Sequence, residues 1–139
     1  MPTLMSADPR PLILTAQLDH AATARFEALR RAYFPPERNV VPAHVTLFHQ
    51  LPGSGLDAMI GHLRAVARAQ PALTVAIAPP RSLGNGVAYD LRAPELVLLH
   101  AALAVHWAGL TIAQDRARLR PHVTVQNKVS AATAAATLQ

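Results

Sequence analysis

His44-Val45-Thr46-Leu47 returns 78 residues later as His122-Val123-Thr124-Val125, and a proline stands just upstream of each copy, at Pro42 and Pro121. Val and Thr are β-branched and pack well on a pleated surface, so both copies are predicted strands. Residues two apart in a strand share a face. His44 and Thr46 therefore point one way while Val45 and Leu47 point into a core. His122 and Thr124 do the same opposite Val123 and Val125. Each copy offers one titratable ring and one hydroxyl on a rigid element.

The surrounding chain supports a single folded core. Its 139 residues suffice for one domain and are too few for two ordinary ones. Apolar residues make up 51% and charged ones 15%, which excludes a disordered chain. The absence of cysteine removes disulfides, thiolate nucleophiles and Cys-based zinc sites together. Lys and Arg number 13 against 8 acids, and all but Lys128 are arginine, a residue suited to phosphate. Met1 to Pro11 lacks the basic start and apolar run of a signal peptide. Leu96 to Ala113, the most apolar stretch, carries His100, His106 and Trp107 and suits a buried helix better than a membrane span. The expected setting is the cytoplasm, with no membrane partner.

Taken in order, Pro11 to Leu18 is a predicted strand, and Asp19 can cap a helix from His20 to about Tyr33. Ala22, Phe26, Leu29 and Tyr33 share one side of that helix, with Arg25, Glu27, Arg30 and Arg31 largely elsewhere. Pro35-Pro36 ends it. Glu37 to Ala43 is a loop, and the first motif strand runs from His44 to Leu51. A turn at Pro52 to Gly55 leads into a helix from Leu56 to Gln70. A strand from Leu73 to Ala78 follows, stopped by Pro79-Pro80. The order then starts again. A loop with Gly84-Asn85-Gly86 precedes a strand from Val87 to Arg92. Pro94 opens a helix to about Gly109, and Thr111 to Pro121 is a long connection. The second motif strand runs from His122 to Val129. Ser130 caps a last helix, Ala131 to Leu138.

Each half thus reads strand, helix, motif strand, helix, and equivalent elements at equivalent places predict a duplicated unit. The repeat divides the chain into a first half of about 11–80 and a second of about 81–139. The first half adds a last strand and the second has no residues for one, which predicts an unfilled sheet edge beside the second motif.

The paired motifs resemble those of the 2H phosphoesterases, named for two His-x-Thr/Ser-x motifs ending in a hydrophobic residue. Within that family the chain is similar to the 2′-5′ RNA ligase-like, or RNA 2′,3′-cyclic phosphodiesterase, group. The likeness extends to the flanking text: Ala43 to Pro52, Gly86-Val87-Ala88, Gln114-Asp115-Arg116 and Arg120 to Val129. The resemblance implies an α+β fold class: one bilobal domain over residues 1–139, lobe one about 11–80 and lobe two about 81–139, the two pseudo-symmetric lobes carrying antiparallel sheets around a central cleft. It implies that His44 and His122 serve as acid and base and that Thr46 and Thr124 bind phosphate. Relatives continue into another strand after the last helix.

The residues themselves fit such chemistry. Hydrolysis of a phosphodiester needs one proton removed and one delivered, and imidazole can do either near neutrality. Threonine hydroxyls can donate to the non-bridging oxygens. No metal or cofactor is required, and His-x-Thr supplies only one metal ligand per strand. The expected partner is RNA with a cyclic phosphate end or a small cyclic nucleotide; the alternative is a module that binds RNA or a nucleotide without turnover. Phe48 and Gln126 occupy equivalent places on the His-Thr face, and Lys128 continues it. Arg120 leads into His122. These four are candidate substrate contacts. His49 points to the face opposite His44.

Overall fold

The computed structural model describes residues 10–139. Residues 1–9, most of the segment expected to lack a signal peptide, lie outside them. The fold is α+β, with two sheets and five helices. In chain order the elements are β1 (Leu12–Ala16), α1 (His20–Tyr33), β2 (Val45–Leu51), α2 (Leu56–Ala69), β3 (Ala76–Ser82), β4 (Val87–Arg92), α3 (Pro94–His106), α4 (Ala113–Arg116), β5 (His122–Gln126) and α5 (Ala131–Leu138). Single 3-10 turns occupy Pro36–Arg38 and Gly53–Gly55.

The helix boundaries follow local chemistry. Asp19 Oδ1 accepts from the Ala22 N–H at 2.8 Å, satisfying one free donor at the start of α1. Arg30 and Arg31 fall in its last turn, where the helix dipole favours positive charge. Ser130 caps α5 in the same way through the Thr133 N–H at 3.1 Å. The connection before the second motif contains one helical turn, α4, that its sequence does not announce.

β1 lies beside β2 in a two-stranded sheet, and the other sheet has the order β3-β4-β5, antiparallel throughout. This corrects the expectation for the third strand. Pro79-Pro80 does not stop it; both prolines lie inside β3. Two features make that possible. β3 is an edge strand, and its pairing with β4 shifts register between Ile77 and Pro80. Proline lacks an N–H to donate, and sheets tolerate it at edges and bulges. β3, written in the first half of the chain, thereby joins the sheet that holds the second motif.

By their contacts the described residues form two compact units whose segments interleave. The first comprises 10–14, Leu47–Thr74 and Pro94–Leu119; the second comprises Thr15–Thr46, Val75–Ala93 and Arg120–Gln139. The cut expected near residue 80 falls inside β3. Within the first unit, Phe48 is fully buried, stacked on His100 at 4.5 Å and met edge-on by Trp107 at 5.3 Å. Within the second, Phe26 of α1 meets Tyr89 of β4 edge-on at 5.5 Å, beside the buried Val123 and Val125.

Candidate active site

His44, Thr46, His122 and Thr124 all belong to the second unit. Residues 43–48 and 121–126 share one burial sequence: buried, half-buried, buried, half-buried, buried, buried. The two histidines and two threonines are the half-buried members. Val45, Leu47, Val123 and Val125 are buried, as the strand alternation predicts. β5 pairs with β4 so that Asp90 opposes His122, Tyr89 opposes Val123 and Ala88 opposes Thr124.

The two imidazoles are anchored alike. His44 Nδ1 lies 2.7 Å from the Pro42 carbonyl oxygen, and His122 Nδ1 lies 2.8 Å from that of Arg120. Each ring is thus tied to the carbonyl two residues before it. A carbonyl can only accept, so Nδ1 carries the proton in both rings and donates it. Nε2 is left without a partner among the described residues: a lone pair when the ring is neutral, an N–H donor when it is charged. Neither the Thr46 nor the Thr124 hydroxyl is hydrogen-bonded to another described residue.

Helix α1 fixes the backbone around both motifs. Arg30 is 3% exposed, although its charge led to an expectation of the outer side. Residues four apart lie on one helix face, and Arg30 follows Phe26 by four. Its Nη1 donates to the Thr124 carbonyl at 2.7 Å and its Nη2 to the Val41 carbonyl at 3.1 Å. Its Nε donates to Asn39 Oδ1 at 3.2 Å, and Phe34 lies under the guanidinium at 4.3 Å. Glu27, three residues earlier, accepts the Ala43 N–H. Burial pushes the Arg30 pKa down, opposed by the charge of Glu27. One guanidinium therefore holds the approach to His44 and the strand of His122 together. β5 is an edge strand, and Arg30 occupies its Thr124 carbonyl, on the edge expected to stand unfilled.

The other candidates fall differently. Phe48 has no exposed surface, so no base can stack on it; its ring is core. Gln126 is buried too, and its Nε2 donates to Thr137 Oγ1 of α5 at 2.7 Å. Strand β5 ends at Gln126, so Lys128 does not continue the His-Thr face. It sits exposed in a left-handed turn at φ 61°. The Arg120 side chain donates to Asp90 Oδ2 from Nε at 3.0 Å and from Nη2 at 2.8 Å, while its carbonyl anchors His122.

A second polar cluster, in the first unit, had no clear sequence signal. The buried Asp115 carboxylate accepts the backbone N–H of His49 at 2.9 Å, that of Gln50 at 3.0 Å, and His49 Nδ1 at 2.9 Å. Burial alone would raise the Asp115 pKa, but these donors outweigh it and hold it below the usual carboxylate range. His100 shifts downward, chiefly through burial and slightly through His49, against a hydrogen bond to Leu47 and the charge of Asp115. Only the Gln114-Asp115-Arg116 text pointed here, and it named no partner.

The chain thus carries two His-x-Thr strands whose rings are each held at Nδ1 by the backbone carbonyl two residues before. The sequence model of the 2′-5′ RNA ligase superfamily matches residues 18–139, and the chain belongs to that superfamily, the 2H phosphoesterases. No curated protein and no solved structure matched the chain. The superfamily acts on RNA and nucleotide substrates in general. Among the described residues, no helix is long and apolar enough to cross a membrane.

Proposed function

We propose that the protein is a metal-independent phosphoesterase that hydrolyses 2′,3′-cyclic phosphate ends of RNA, or related cyclic nucleotides, in the cytoplasm. The observation that carries this reading is the matched anchoring of the two rings: both Nδ1 atoms are spoken for by backbone and both Nε2 atoms are available. In the proposed reaction one histidine is neutral and the other protonated. The neutral Nε2 takes a proton from water as the water oxygen bonds to phosphorus. The ring ester bond breaks, and the leaving ribose oxygen takes the proton from the other Nε2. The two histidines thereby exchange protonation states. Thr46 and Thr124 donate to the non-bridging oxygens and stabilise the charge that develops there. With a ribose hydroxyl in place of water, the same pair joins two RNAs through a 2′-5′ link.

The test is turnover of nucleoside 2′,3′-cyclic phosphates and cyclic-phosphate RNA with chelator present, across about pH 5 to 9. The expected profile is bell-shaped. His44→Ala and His122→Ala are each expected to lower kcat by about 10²–10⁴-fold. Retention of full activity in either variant would refute the paired mechanism. Binding without turnover would indicate a non-catalytic module, and loss of activity on chelation a metal hydrolase.

A further inference from the structure

The motif strands supply neutral hydroxyls for an anionic substrate and no fixed positive charge. The sheet places one beside them. β3 and β4 pair Arg81 with Ala88, and β4 and β5 pair Ala88 with Thr124. Directly paired residues project from the same face. Arg81, Ala88 and Thr124 thus form one row across the sheet, and Asp90 with His122 forms the neighbouring row. Ala88, the smallest member, is fully buried between them. The outer strands lie about 10 Å apart, two strand spacings.

Asp90 directs the arginine. Its Oδ1 accepts from Arg81 Nε at 2.8 Å, and its Oδ2 takes the two N–H donors of Arg120. Burial raises the Asp90 pKa, and the two guanidiniums more than reverse this, so the carboxylate stays ionised. One negative and two positive groups leave the cluster with a net positive charge beside His122. The Arg81 side chain is half-buried. Its tie to Asp90 uses one of five N–H donors, and no other described residue takes the remaining four.

We propose that Arg81 binds the anionic oxygens of the substrate phosphate next to His122, and that Asp90 is a positioning residue. Asp90 turns the Arg81 guanidinium toward the His122 row. It also steadies Arg120, whose carbonyl sets the His122 ring. This rests on the reading of His122 and Thr124 as the active site. A mere strand-to-strand ion pair would hold β3 to β4 and leave substrate affinity untouched.

The test uses the full chain and two probes, adenosine 2′-monophosphate for binding and adenosine 2′,3′-cyclic phosphate for turnover. Arg81→Met is expected to weaken nucleotide binding by about tenfold or more, the scale of a lost charge-assisted hydrogen bond. KM should carry most of the kinetic effect, and its rise with salt should become shallower. Arg81→Lys should recover part of the affinity. Arg68→Met removes the same charge from an exposed site on α2 and is expected to change neither quantity. Equal binding by wild type and Arg81→Met, with melting temperatures also equal, would overturn the proposal. If His122→Ala abolishes turnover while Arg81→Met leaves KM unchanged, the active-site reading stands and the Arg81 role falls. If the wild type binds the monophosphate without turnover and Arg81→Met weakens that binding, the Arg81 role stands and the catalytic reading falls.

Discussion

Arg30 shows how one side chain can decide a site it does not enter. Its donors serve carbonyls of Thr124 and Val41, 83 residues apart in sequence. Arg30→Met keeps the aliphatic bulk and orphans both carbonyls, so the expected loss of stability is about 2–4 kcal/mol. Activity should fall further than stability explains, mainly in kcat, because the histidines lose their common support. Phe26→Leu, a core change on the same helix, is the control: matched in melting temperature, it should retain more kcat. Equal kcat in the two variants would show that Arg30 serves the fold alone. The sequence disclosed that this helix had a charged residue at position 30 and concealed where it went. Arg30 follows Phe26 by four residues, yet its charge reads as solvent-facing, and only the distant carbonyls of Val41 and Thr124 make burying a guanidinium favourable. Phe48 failed for the converse reason: alternation gave its face correctly as far as Thr46, and the contacts with His100 and Trp107 that bury it come from α3 and the turn after it.

At the scale of elements, the motif strands, the caps and the start of α3 were legible because each is written in a few adjacent residues. β3 was not. Two consecutive prolines argue against a strand until it is known that the strand lies at an edge and carries a bulge, and those facts belong to its neighbour β4. The turn between β3 and β4 is similarly constrained by a distant strand. Gly86 sits where a Cβ would lie 2.0 Å from the Gln126 carbonyl oxygen and 2.8 Å from the Asn127 Cα. Both are backbone atoms of the β5 end and cannot yield as a flexible side chain would. Gly86→Ala is expected to destabilise the protein by about 1–3 kcal/mol or more and to lower activity by disturbing the strand of His122. A thermal melt and the cyclic-phosphate assay check both; an unchanged melting temperature would contradict the close approach. Gly84, at φ 89° in the same turn, has open space around its missing Cβ, so alanine there is strained by conformation alone.

The whole molecule answers to pH through groups other than the histidine pair. Burial holds the folded His100 pKa below its ordinary value of 6.5. Between those two values the unfolded chain binds a proton that the folded chain does not, so this stability is present above about pH 6.5 and is lost as pH falls. Asp115, also held below its ordinary value of 3.8, adds a second loss at lower pH with the same sign. His100→Phe keeps a ring against Phe48 and should flatten the first step, read as the change in melting temperature from about pH 7 to pH 5. Identical slopes in variant and wild type would refute it. The fold class and the family were readable because the duplicated motif is local and specific. The interleaving was not, because it depends on long-range contacts that gather residues 15–46, 75–93 and 120–139 into one unit, which no local pattern encodes. That interleaving has a consequence during synthesis. A ribosome adds about 5–20 residues per second, so His122 is made roughly 4–16 s after His44. Throughout that interval the growing chain holds one histidine of the pair, and Arg30 still waits for the Thr124 carbonyl. Under the proposed function, a chain being translated carries no working RNA-end activity until its last strand has emerged, so the message and ribosome that make it are not exposed to a half-built enzyme.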